Sequence, residues 1–208
     1  MSDAALLEVL EEARRRGHLG AASAARHVEQ ARRLGQAVRR PVSVAVDLGS
    51  GGGLPGLVLA LDWPDVEWTL VDRRRTRADD LLRAVGRLGL ADRVHVVGAD
   101  AADFARDPAN RGRADLVTAK SLGAPAEVAE LAAPLLRVGG QLLVAEPPSP
   151  GADRWSTAGL ALVGLERDPA PAAEMASPPD TASFTQRTIC AGGYPRRRRR
   201  PPLWASST

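Results

Sequence analysis

Residues 44–56 read Val-Ala-Val-Asp-Leu-Gly-Ser-Gly-Gly-Gly-Leu-Pro-Gly. An apolar, β-branched run ends in Asp47, and glycines follow at the alternate positions Gly49, Gly51 and Gly53. Behind Pro55 the chain enters residues 57–61, an apolar stretch of helix-forming type. Strand, glycine turn and helix in that order open a parallel α/β unit. Glycines let the backbone turn sharply at the strand tip and approach a ligand with no side chain in between. The acid at the strand end sets the charge of that ligand: a carboxylate there favours a cationic group and repels a pyrophosphate.

Two kinds of enzyme place such a loop after a first strand. Dinucleotide-binding domains use G-x-G-x-x-G, which Gly51, Gly53 and Gly56 satisfy, but Asp47 would then face phosphates at a helix N-terminus, a poor electrostatic match. Class I methyltransferases use acid-x-G-x-G-x-G, which fits Asp47, Gly49, Gly51 and Gly53. Their cofactor, S-adenosylmethionine, has no phosphate and carries a sulfonium and an α-ammonium, which Asp47 can favour directly or through water. The methyl-donor reading is therefore preferred. Asp72, about 20 residues past the glycines at the end of the next apolar run, is placed to accept the two ribose hydroxyls of a nucleoside.

From residue 41 onward the pattern alternates. Strands are expected at 42–47, 68–72, 93–97, 115–118 and 141–145, the last after the Gly139-Gly140 pair. Helices are expected at 76–88, 101–106 and 127–136, with Leu81, Leu82, Val85 and Leu88 on one face of the first. Residues 160–166 and 183–190 are read as a final antiparallel hairpin. The expected fold is a doubly wound, mostly parallel Rossmann-like sheet of seven strands in the class I methyltransferase manner. It spans 41–190, with a helical extension over 1–40 and a basic tail from 191 to 208 that is not expected to pack. The cofactor then belongs at the carboxyl ends of the strands, where Asp47, Asp72 and Lys120 fall.

Composition narrows the classes. No apolar run approaches the roughly 20 residues needed to cross a bilayer. The first ten residues carry acids where a secretory signal would be basic, so a cytoplasmic location and no membrane partner are expected. The single cysteine, Cys190, excludes an intrachain disulfide, and His18, His27 and His95 show no metal-ligand spacing, so no metal is expected. The net charge is only +3, and arginine supplies every basic side chain except Lys120. An aromatic content of 3% argues against a base-stacking platform for single strands. The five arginines at 196–200 form either a phosphate-binding tail or a solvated run.

At Asp47-Leu-Gly-Ser-Gly-Gly-Gly-Leu-Pro-Gly56 the chain resembles the glucose-inhibited division protein B family, bacterial methyltransferases that modify guanine N7 in small-subunit (16S) ribosomal RNA. Thr69-Leu-Val-Asp72, the basic helix start with Arg75 and Arg77, the Leu81-Leu82 pair and the Arg26-His27 pair are similar too. So, more thinly, are Gly193-Tyr-Pro-Arg-Arg197 and Pro202-Leu203. The resemblance implies cofactor contacts at Gly49 and Leu54, an adenine contact along Asp100, Ala101 and Ala102, and a charged contact from Lys120. It implies ribosomal RNA or the small ribosomal subunit as partner, and leaves the oligomeric state open. The chain differs from the family where Ala102 replaces an acid, Lys120 an arginine, and Glu146-Pro147 a lysine-glycine pair. Two other readings remain: a small-molecule methyltransferase, and a methyltransferase fold that binds without catalysing.

Overall fold

The computed structural model describes residues 3–39, 41–146 and 154–167, and the backbone of 185–191; of Glu146, too, only the backbone is described. Five strands run parallel: β1 (Val44–Leu48), β2 (Glu67–Val71), β3 (Val94–Val97), β4 (Ala114–Lys120) and β5 (Leu136–Glu146). With β6 (Leu165–Arg167) and β7 (Thr185–Ala191) the sheet order is β3-β2-β1-β4-β5-β7-β6, β7 lying antiparallel to both β5 and β6. The order reverses at β1, which pairs with β2 on one side and β4 on the other. At such a reversal the connections leaving the two strands part to opposite faces and open a crevice.

Successive side chains in a strand point to opposite faces, and the two faces build two cores. Ala45, Trp68, Leu70, Leu116 and Leu143 belong to one apolar cluster; Val46, Leu48, Val71, Val117 and Leu142 belong to the other. Helices α1 (Asp3–Arg15), α2 (Ala24–Gly35), α3 (Gly56–Asp62) and α4 (Arg75–Arg87) cover the first face. Helices α5 (Ala101–Arg106), α6 (Pro125–Ala132) and α7 (Thr157–Leu162) cover the second.

The two N-terminal helices share the first core. Leu6, Val9 and Leu10 of α1 are buried, and α2 buries Ala24, His27, Val28, Ala31, Leu34 and Gly35, an apolar stripe at helical spacing. Ser23 caps α2 by accepting a bond from the Arg26 amide. Gly35 admits α3 closely, since a Cβ there would lie 2.6 Å from Leu59 Cδ2. Arg32 joins Asp3 at 2.8 Å and Asp62 at 3.0 Å, tying α1, α2 and α3 at the surface. Such exposed pairs contribute little beside the burial beneath them.

Three expectations are corrected. Residues 160–166 are not one strand: α7 occupies Thr157–Leu162, and only Leu165–Arg167 pairs with β7. Ser156 caps that helix through the Gly159 amide, and the helix buries Leu160 while Leu162 stays exposed, a helical rather than an alternating pattern. The helix expected at 127–136 runs from Pro125 to Ala132, and Leu136 already belongs to β5. Gly139-Gly140, expected ahead of the fifth strand, lies inside it as a bulge, the register shifting between Ala114↔Leu136 and Leu116↔Gln141. Gly139 has φ +78°, and a Cβ on Gly140 would sit 2.9 Å from the Ala114 carbonyl oxygen. Of the tail expected from 191, Ala191 belongs to β7 and pairs with Leu165, while residues from 192 and the connection at 169–179 lie outside the described residues, as does the side chain of Cys190.

Asp115 fixes the start of β1. Its Oδ2 accepts the Ser43 amide at 2.7 Å and the Val44 amide at 2.9 Å, and Arg137 binds its other oxygen. Asp115→Ala leaves two strand amides without an acceptor and should cost about 2 kcal/mol. Urea unfolding should show a lower midpoint with an unchanged m-value; an unchanged midpoint would contradict this role.

Candidate functional site

The turn after β1 is held by carboxylates on both sides. Gly49, Gly51 and Gly53 have φ of +69°, +57° and +96°, the left-handed region that favours glycine. The Gly49 and Ser50 amides donate to the Val71 carbonyl at 2.8 and 3.0 Å, folding the loop back over the end of β2. Asp47 lies wholly inside, at 0% exposure. Its Oδ2 accepts the Ser50 hydroxyl at 2.7 Å and the Gly56 amide at 3.1 Å, and its Oδ1 accepts the Thr118 hydroxyl at 2.7 Å. One side chain thereby joins β1, the glycine loop, the start of α3 and β4. Burial pushes the Asp47 carboxyl up to about 6, while the Ser50 and Thr118 hydroxyls, the Gly56 amide and the Lys120 charge pull it down.

Asp72 holds the loop from the other side. It is 5% exposed, with Oδ2 accepting the Gly51 amide at 2.8 Å and Oδ1 the Arg74 amide at 2.9 Å. Asp100 caps α5, its side chain accepting the Ala102 amide at 2.8 Å. The ends of β1, β2, β3 and β4 together enclose a cleft of about 280 Å³ whose lining includes Gly49, Asp72, Asp100, Ala101, Ala102 and Leu122. Leu122 faces Gly49 so closely that a Cβ on Gly49 would lie 2.6 Å from its Cδ1. Ser121 before it has φ +54°, the one non-glycine residue with positive φ among the described residues.

Five of the residues singled out in the sequence thus line one cleft: Gly49, Asp72, Asp100, Ala101 and Ala102. The others fall elsewhere. Gly51 lines a separate groove of about 130 Å³ against α1 and α4, with His18 and Asp80. Gly53 packs on Leu57, and Leu54, 4% exposed, belongs to the core. Lys120 ends β4 half-buried; burial lowers its pKa and the Asp47 charge raises it. The Lys120 charge also reaches His27, whose pKa falls mainly through burial and whose Nε2 lies 3.3 Å from the Gly20 carbonyl oxygen. The side chain of Glu146, where the chain differs from the family, lies outside the described residues.

Sequence reasoning missed Ser50 and Thr118 as partners of Asp47. A hydroxyl at the centre of the apolar run 114–119 was a signal available for Thr118, because a buried hydroxyl must find a partner. It also missed Leu122 as the wall opposite Gly49. Among the described residues there is no cluster of three or more His, Cys, Asp or Glu able to hold a metal, and no helix long and apolar enough to cross a membrane.

A five-strand parallel sheet reversing at β1, with a glycine loop between two strand-end acids, defines the class I methyltransferase fold. Solved structures agree at the level of fold: mitomycin 7-O-methyltransferase MmcR superposes with a TM-score of 0.60 at 18% identity, covering 81% of this chain and 55% of that one. Pyrococcus horikoshii TYW2, solved in complex with MeSAdo, gives 0.57 at 15% identity over 79% of this chain and 62% of its own. The family model for rRNA small subunit methyltransferase G (GidB) matches residues 21–149, and the chain belongs to that family. Among similar proteins, ribosomal RNA small subunit methyltransferase G of Streptococcus gordonii is 39% identical over 98 residues, covering 47% of this chain and 41% of the relative. That of Rubrobacter xylanophilus is 41% identical over 101 residues, covering 49% and 38%. The match therefore spans about two fifths of the length of these relatives.

The buried acid makes a prediction about pH. The folded-state pKa of Asp47 is raised from 3.8 to about 6, so its contribution to stability is full below 3.8 and is lost as pH rises through about 6. A shift of that size corresponds to about 3 kcal/mol. Asp47→Asn cannot ionise, so the stability of the wild type relative to this variant should fall across that window. Thermal unfolding of both proteins at a series of pH values measures the difference; a constant difference would contradict the assignment.

Proposed function

We propose that this chain is an S-adenosylmethionine-dependent methyltransferase acting in the cytoplasm on guanine N7 of small-subunit ribosomal RNA. The observation that carries the cofactor reading is Asp72. It is nearly buried, borders the cleft, and commits one lone pair of each carboxylate oxygen to a backbone amide. Each oxygen keeps a second lone pair for a ribose hydroxyl. Gly49 supports the fit, because a side chain there would meet Leu122 and fill the space between the two walls. Ala101 and Ala102 leave the adenine end of the cleft small and apolar, with Asp100 at its rim. Membership of the rRNA small subunit methyltransferase G family supports the ribosomal RNA part of this reading, and guanine N7 is what the resemblance implies.

When bound, S-adenosylmethionine supplies a methyl group on an electrophilic sulfonium. Guanine N7 carries no proton to be removed, so the residues of this chain would need to supply no general base. The residues of the cleft act by holding cofactor and base in line and by excluding water. Asp47 keeps the loop in shape from within, and the charge of Lys120 acts on both Asp47 and His27. The family carries an arginine at that position, so Lys120 is assigned to the methionine carboxylate as a point charge without the bidentate fork.

Transfer of labelled methyl from S-adenosylmethionine to isolated small ribosomal subunits, followed by mapping of the modified base, tests the proposal. Label at a guanine N7 of the small-subunit RNA is the expected result. Label found only on small molecules, or none despite cofactor binding, would overturn the acceptor assignment. By calorimetry, Asp72→Ala should weaken S-adenosylmethionine binding by about 2 to 3 kcal/mol, the scale of charge-assisted hydrogen bonds. Lys120→Ala should weaken it as well, and Lys120→Arg should restore it. Wild-type affinity in both alanine variants would remove these residues from the site.

A further inference from the structure

The arginines of this fold are mostly matched. Arg14 pairs with Glu11, Arg16 with Glu12 and Asp80, Arg32 with Asp3 and Asp62, and Arg87 with Glu12. The run Arg73-Arg74-Arg75-Thr76-Arg77 is different. Among the described residues none of its four guanidinium groups makes a hydrogen bond or an ion pair, and Arg73, Arg74 and Arg75 are exposed. The first turn of α4 contains no acid, and Arg74 at its N-cap makes no side-chain capping bond. Four neighbouring cations repel one another, and the positive end of the helix dipole adds to the cost. The whole chain carries a net charge of only +3, so this cluster is a local excess rather than a share of a general basicity.

The cluster borders the candidate site. Arg73, Arg74 and Arg77 line the cleft together with Asp72, and Arg75, the exposed first residue of α4, stands between them in the chain without lining it. We infer that this unpaired arginine ridge grips the phosphodiester backbone of the RNA strand that flanks the methylated base. The inference rests on the ribosomal RNA reading and adds to it the surface that holds the substrate. Guanidinium groups bind phosphate through paired N–H donors, and a contiguous row suits successive phosphates. With few aromatic side chains available for stacking, the ridge contributes affinity and register rather than base choice.

The test uses the full chain and an in vitro small-subunit RNA transcript, titrated at several salt concentrations. The variants are Arg75→Gln, which lies outside the cleft lining, and the triple change Arg73→Gln, Arg74→Gln, Arg75→Gln. Each arginine–phosphate pair removed should reduce the log-log salt slope by about 0.7 to 0.9, so the slope should fall further in the triple variant than in the single one. Calorimetry should give Arg75→Gln the wild-type affinity for S-adenosylmethionine. Because the charges are uncompensated in the fold, neither variant should have a lower melting temperature than the wild type. An unchanged slope in both variants, with RNA still bound, would overturn the ridge and leave the methyltransferase reading standing. A wild type that binds S-adenosylmethionine but no RNA would overturn both the ridge and the acceptor. Displacement of the transcript by poly-glutamate as readily as by unlabelled RNA would overturn it in favour of an acidic-peptide surface.

Discussion

The carboxylate of Asp47 has no contact with water, and the shape of the site follows from how that carboxylate is satisfied. A buried acid without partners would cost several kcal/mol or stay neutral. Here two hydroxyls and one backbone amide converge on it from β4, the glycine loop and the first residue of α3. The amide can arrive only because residue 56 is glycine: a Cβ there would stand 2.7 Å from Asp47 Oδ2 and would also meet Leu70. Loop, helix start and central strand are thus set by one group. Asp72 repeats the device at lower burial, taking Gly51 and Arg74 amides while keeping a face on the cleft. One acid shapes the loop from inside, and the other presents it to a ligand.

The N-terminal helices complete the same arrangement. A Cβ on Gly52 would lie 2.6 Å from Leu19 and 3.2 Å from Ala13, so α1 and the segment after it form the outer wall of the glycine loop. The family match begins at residue 21, beyond this helix. Yet α1 buries Leu6, Val9 and Leu10 in the core that contains Leu57 and Leu70, and Arg16 and Arg87 tie it to α4. The extension is therefore part of the support for the loop, acting through packing first and exposed ion pairs second.

Much of this was legible in local pattern. A β-branched run ending in an acid, followed by alternating glycines, has few structural uses, and the spacing of apolar residues across 44–120 gave the parallel strands and their helices. What local pattern could not supply came from tertiary context. Residues 160–166 contain apolar side chains compatible with either period, and burial of Leu160 with capping by Ser156 decided for a helix. Gly139-Gly140 reads as a turn in isolation, but pairing with β4 continues through it as a bulge. The identity of Asp47 was clear and its direction was not: the strand alternation turns it inward beside Ala45 rather than out toward a ligand. Leu54, singled out by resemblance, likewise points into the core.

The glycine loop, fixed by Asp47 and Asp72, is the surface on which we propose that a nucleoside methyl donor rests. The most direct measurement is a backbone amide NMR titration with S-adenosylhomocysteine. On this account, saturable shifts are expected at Gly49, at Asp72 to Arg74, at Ala101 and Ala102, at Ser121 and Leu122, and at Gly51, whose amide is bonded to Asp72, with α7 and β6 unaffected. Shifts centred outside this cleft, or saturation of the protein without any change in the loop amides, would contradict it.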